Sequence, residues 1–111
     1  MDGLAQTGNP SPEYQNKMLT ARAAIDLQLG RVDQAANDAS RATRLAQQAA
    51  VPGNSSVDVG HAFLVLGRAL QAQGSSQAQA AFRSAAQNLA ATLGDNHPQT
   101  LEARKLTDIS R

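Results

Sequence analysis

The chain interrupts its own helices at regular intervals. Val51-Pro52-Gly53-Asn54-Ser55-Ser56 and Leu93-Gly94-Asp95-Asn96-His97-Pro98 are two runs of turn-forming residues 42 positions apart. Gly30 and Gly74 stand 44 apart, and Pro12 and Pro98 stand 86 apart, two periods of 43. Proline cannot sit inside a helix without losing a hydrogen bond, and glycine is the residue that most readily closes one. Three kinds of marker therefore agree on one period, and a period of this length is the signature of a stacked repeat array. Each unit reads as two helices and a tight turn: one unit over 12–54, a second over 55–97, and a fifth helix, 98–110, that begins a third.

What lies between the breaks is helix-forming. About a fifth of the residues are alanine, and Gln, Leu and Arg are also frequent, all of them good helix formers. Aromatic residues number three, Tyr14, Phe63 and Phe82, and β-branched residues never alternate over the length of a strand. The chain is predicted to be all-α, with five helices and a thin core made of close helix contacts. Pro12 and Glu13 start the first helix and Gly30 ends it; Asp33 opens the second, which runs near Ala49. Ser55 or Ser56 caps the third, and Ser75 or Ser76 the fourth. Residues 1–11 read as a flexible segment ahead of a single domain.

The apolar positions show which faces meet. Phe63, Leu66, Gly67 and Leu70 share one face of the third helix. A mid-helix glycine costs about 1 kcal/mol relative to alanine, so Gly67 implies a neighbouring helix too close for a Cβ. The fourth helix answers with Ala78, Phe82, Ala85, Ala86 and Leu89, and the second with Ala35, Ala39, Ala42, Leu45 and Ala46. If the Phe63 ring is buried, its loss should cost roughly 3–5 kcal/mol.

Phe63-x-x-Leu66-Gly67-x-x-Leu70-x-x-x-Gly74, followed by Ala78-x-x-x-Phe82-x-x-Ala85, resembles a tetratricopeptide repeat. The run Leu93-Gly94-Asp95-Asn96-His97-Pro98-Gln99-Thr100-Leu101 is similar to the linker of the 42-residue repeats of kinesin light chains and many bacterial regulators. The resemblance covers about residues 12–101. It departs from the pattern in the first unit, where Arg22 and Asp26 stand at apolar positions and Ala39 replaces the aromatic residue. The resemblance implies a right-handed α-solenoid fragment whose concave face is lined by the first helix of each pair and closed by a capping helix. Such grooves hold peptide segments of partner proteins. Carried over by position, the lining is Lys17, Thr20, Ala24, Leu27 and Gln28, then His61, Leu64 as an exposed leucine, Arg68 and Gln71. Lys17, His61 and Arg68 would favour an acidic ligand.

The remaining composition excludes more than it suggests. No cysteine is present, and ten basic residues face nine acidic ones, which argues against disulfides, thiolate metal sites and a nucleic-acid groove. The longest apolar run, Ala62 to Leu66, is far below the roughly 20 residues that span a bilayer. His61 and His97 lie in different units without a spaced set of carboxylates, so no metal or cofactor site is expected, and no nucleophile motif or phosphate loop is present. His97 is expected to serve the turn before Pro98. The reading is a protein- or peptide-binding module rather than an enzyme, cytoplasmic, and a fragment of a larger bacterial signalling or regulatory protein. The alternatives are self-association, through an exposed stripe of Leu101, Leu106 and Ile109 if the fifth helix does not cover the preceding pair, and a chaperone-like role.

Overall fold

A computed structural model describes residues 11–51 and 54–109. Among the described residues it contains five helices and no strand: α1 (Pro12–Gln28), α2 (Val32–Ala49), α3 (Val57–Ala72), α4 (Ala78–Leu93) and α5 (Pro98–Ile109). The expectation of a flexible segment over 1–11 lies, but for Ser11, outside the described residues.

Helix boundaries follow local chemistry. The Ser11 hydroxyl accepts the Tyr14 amide at 3.2 Å at the start of α1, and the Ser56 hydroxyl accepts the Val59 amide at 3.3 Å at the start of α3. Each satisfies one of the amides that a helix N-terminus leaves without an internal partner. The expected cap of α4 by Ser75 or Ser76 is not formed. The helix begins at Ala78 after Gln77, and the Ser75 hydroxyl instead accepts the Gln77 amide at 3.1 Å. Its oxygen is spent inside its own turn, too early to reach the first turn of the helix.

The two tight turns match in detail. Gly30 and Gly74 adopt φ of 78° and 73°. Around them Arg31 N donates to Asp26 O at 2.8 Å and Gly30 N to Leu27 O at 3.1 Å, while Ser75 N donates to Leu70 O at 2.9 Å and Gly74 N to Gln71 O at 3.0 Å. This pair of bonds closes a helix through a left-handed residue, a conformation that side chains oppose.

Packing is between near neighbours. α1 lies on α2, α2 on α3, α3 on α4 and α4 on α5, and α1 also touches α3. The second hairpin is joined through Gly67 and Gly60. A Cβ at Gly67 would lie 2.6 Å from the Phe82 ring, and one at Gly60 would lie 2.9 Å from Leu89. Phe82 and Leu89 are fully buried at the centre of a cluster with Leu64, Ala78, Ala85, Ala86 and Ala103. Phe63 is half-buried and packs on the edge of that cluster, so the central ring is Phe82 and not Phe63.

The first hairpin is joined by apolar contacts, Leu19 on Ala42 and Leu27 on Ala35 and Ala36, and also by polar groups. The buried Asn16 donates through Nδ2 to Ala42 O at 2.9 Å. Arg22 donates from Nε and Nη2 to the two carboxylate oxygens of Asp38, at 2.9 and 2.7 Å. Asp26 is buried beside them, and its Oδ2 has no hydrogen-bond partner. Arg22 and Asp26, unusual in the sequence at apolar positions, thus form one network with Asp38.

α5 covers the second hairpin with Ala103, Thr100 and Leu106. Leu101 and Ile109 are exposed. The stripe expected of Leu101, Leu106 and Ile109 is therefore divided, because Leu106 packs inward on the core.

Candidate functional site

The sequence-derived lining residues separate into three groups. Lys17, Thr20 and His61 come together on a cleft of about 410 Å³ between α1 and α3, with Asn16, Ala21 and Asp58 completing its walls. Helical spacing explains the set: Lys17 and Thr20 are one turn apart on α1, as Asp58 and His61 are on α3. Thr20 is half-buried, and its hydroxyl donates back to Asn16 O at 2.8 Å.

Further along α3, the polar face is tied to α5. His61 Nε2 lies 2.7 Å from Gln99 Oε1, and Arg68 forms an ion pair with Glu102. His61 and Arg68 are seven residues apart, two helical turns, and Gln99 and Glu102 one turn apart. Gln28 and Gln71 are exposed near the C-terminal ends of α1 and α3.

Leu64 does not belong to the groove. It is 8% exposed and sits in the core with Phe82 and Ala103. α5 returns across this side of α3, so a position that would face solvent in a lone hairpin is covered. Leu27 is also drawn inward, packing on Ala35, Ala36 and Ala69.

The charge of the face differs from a simple basic wall. Asp58 lines the same cleft as Lys17, and Glu102 pairs with Arg68, so opposite charges alternate along the face. Such a surface focuses no single sign of potential. Asp58, Gln99 and Glu102 were the residues that sequence reasoning missed. The signal for Asp58 lay in its one-turn spacing to His61, and that for Gln99 and Glu102 in the place of α5 beside α3.

Two wider clefts open on other faces. One of about 500 Å³ lies among α2, α3 and α4, and one of about 630 Å³ between α4 and α5, where Ala86 and Ala90 form the floor and Arg104 pairs with Asp95 at 2.7 Å at the rim. The α1/α3 cleft leads, through His61, to the polar side chains of Gln99 and Glu102 on α5. His97 serves its turn: its Nδ1 accepts the Gln99 amide at 3.2 Å and so caps α5.

Comparison of the chain with protein-family models, curated proteins and solved structures gave no match. Among the described residues no group of three or more His, Asp or Glu side chains is placed to hold a metal ion, and no helix is long and apolar enough to cross a membrane.

Proposed function

We propose that the chain is a short right-handed array of the tetratricopeptide type and that the face shared by α1, α3 and α5 binds a segment of another protein. The order of packing supports the array. An up-and-down bundle closes by laying its first helix on its fourth, whereas here α1 packs on α2 and α3 and has no substantial packing with α4. In a repeat array each unit meets only its neighbours.

Internal correspondence supports it too. Ala42 joins Leu19 and Ala62 in one cluster, and Ala85, 43 residues on, joins Leu64 and Ala103 in another. α5 has the character of a capping helix, because its outward side carries Arg104, Lys105 and Asp108, and a polar outer face is what terminal units need for solubility.

The observation that carries the binding reading is the α1/α3 cleft, where Lys17, Thr20, Asp58 and His61 converge. A few polar groups converging on a concavity orient a ligand. The alternation of Lys17, Asp58, Arg68 and Glu102 fits a segment carrying both signs of charge better than a purely acidic one. The placement within a larger bacterial regulatory protein of the cytoplasm rests on the sequence resemblance, the absence of cysteine and the alanine- and glutamine-rich composition.

Panning the chain against a random displayed peptide library tests this reading. Enriched peptides should bind Lys17→Glu and His61→Ala about tenfold or more weakly than the native chain, by calorimetry. Equal binding to native chain and both variants, or no enrichment, defeats it.

A further inference from the structure

A second surface, an apolar stripe along α1, borders that cleft at Ala21. Tyr14, Met18, Ile25 and Leu29 are each between 46% and 60% exposed, and Ala21 is exposed between them. Successive spacings of four, three, four and four residues keep all five within one narrow stripe of a helix with 3.6 residues per turn. α1 buries its opposite side through Asn16, Leu19, Ala23 and Asp26, so the stripe is turned away from the core and meets the cleft only at Ala21. α5 offers nothing equivalent, since its exposed Leu101 and Ile109 are separated by Lys105 and Asp108.

We infer that this stripe is the interface of a symmetric antiparallel dimer, in which α1 of one copy lies along α1 of a second. The pattern is its own complement. Turned about a two-fold axis near Ala21, Tyr14 meets Leu29 of the second copy, Met18 meets Ile25, and the two Ala21 residues meet at the centre, where small side chains allow the helices to close. A two-fold interface requires this kind of self-matching.

Charge agrees with the same register. Glu13 stands at the N-terminal end of α1 and Arg31 just past its C-terminal end, both exposed. Antiparallel pairing brings Glu13 of each copy toward Arg31 of the other, at both ends of the contact. The Arg22 guanidinium groups approach the axis from one flank, each already held by Asp38 of its own chain.

Residue size distinguishes this face from the junction inside the chain. Counting from the turn glycines, Met18 and Ile25 correspond to Ala62 and Ala69 of α3, which are fully buried where α3 meets the first hairpin. Alanine there suits three helices packed closely, whereas Met and Ile fill the wider gap of a two-helix contact. The stripe and its flanks would bury roughly 1,000 Å² over both copies, the lower end for a specific interface, so the dimer is weak and reversible.

Sedimentation velocity from about 5 to about 500 µM, a range that brackets weak, reversible association, tests this. The native chain should shift from monomer to dimer, and Ile25→Glu and Met18→Gln should each stay monomeric with an unchanged melting curve. Glu13→Arg and Arg31→Glu should each weaken the dimer, and the double variant Glu13→Arg/Arg31→Glu should restore it. A native chain that is monomeric throughout overturns the inference, leaving the stripe to some other occupant. Mass that grows past two copies overturns it in favour of head-to-tail assembly. A dimer that survives Ile25→Glu, or single charge reversals that the double variant does not rescue, overturns the α1 register.

Discussion

Replacing Phe82 with alanine is expected to abolish the cooperative thermal transition of the domain near physiological temperature. The ring is fully buried, and it fills the notch left by Gly67 on α3. Loss of a buried Phe side chain costs about 3–5 kcal/mol, against a total stability of about 5–15 kcal/mol for an ordinary domain. A thin alanine core leaves this protein little beyond that. Circular dichroism with heating and urea checks the outcome, and a variant that still melts sharply with a small decrease in midpoint would show that the ring is not central. Phe63→Ala should cost clearly less, because that ring is only half-buried.

The same contact predicts a compensating pair. Gly67→Ala places a methyl group 2.6 Å from two carbons of the Phe82 ring, so one helix must move or the ring must leave its rotamer. Alone, the substitution should lower the urea midpoint. Combined with Phe82→Leu, it should cost less than the two single effects added together, because residues in contact do not act independently. Strict additivity would mean that the helices accommodate the methyl group elsewhere.

The legibility of this contact in the sequence was high, and the reason is physical. A glycine in mid-helix is costly, so its presence between Leu66 and Arg68 demanded a close neighbour, and the fourth helix offered one aromatic residue at the right depth. Gly60 makes the same contact with Leu89, but near a helix start glycine is common enough to pass unremarked. The five helices and their turns were legible because proline, glycine and serine act locally. Leu64 was misplaced because its burial depends on α5, an element some forty residues away. A clue was present: Phe63, Leu64, Val65 and Leu66 are consecutive, and a helix apolar on all sides is covered on all sides. The site was half legible. Lys17, Thr20 and His61 follow from the resemblance carried over by position, and Asp58, one turn before His61, was open to helical spacing, whereas Gln99 and Glu102 join them through the packing of α5 beside α3, which no local pattern encodes. The network of Arg22, Asp26 and Asp38 was visible only as a departure from apolar positions, since the ion partner sits on another helix.

That network carries the second large effect, an unusual dependence of stability on pH. Asp26 takes in the first hairpin the place that Leu70 takes in the second, 44 residues on. Burial raises its carboxyl above the ordinary value, and the neighbouring negative charge of Asp38 raises it further. Asp38 itself is held below the ordinary value by the bidentate Arg22 guanidinium. The two shifts act in opposite directions on the folded state. Above its raised folded value, ionised Asp26 opposes folding, and as pH falls from there to the ordinary carboxylate value the chain gains stability. Asp38 contributes stability above the ordinary value, and that contribution is lost as pH falls on toward its lowered folded value. The melting temperature should therefore rise on mild acidification and fall on stronger acidification. Asp26→Asn separates the two arms. A carboxamide carries no charge and can donate to Asp38 at every pH, so the variant should melt higher than the native chain at neutral pH, lose the rising arm, and keep the acid fall. Asp38→Asn should do the reverse, melting lower at neutral pH because Arg22 loses its partner while Asp26 remains buried. A native melting temperature that only falls on acidification, or an Asp26→Asn variant less stable than the native chain at neutral pH, would mean that Asp26 is stably ionised in the fold and that Arg22 serves both carboxylates.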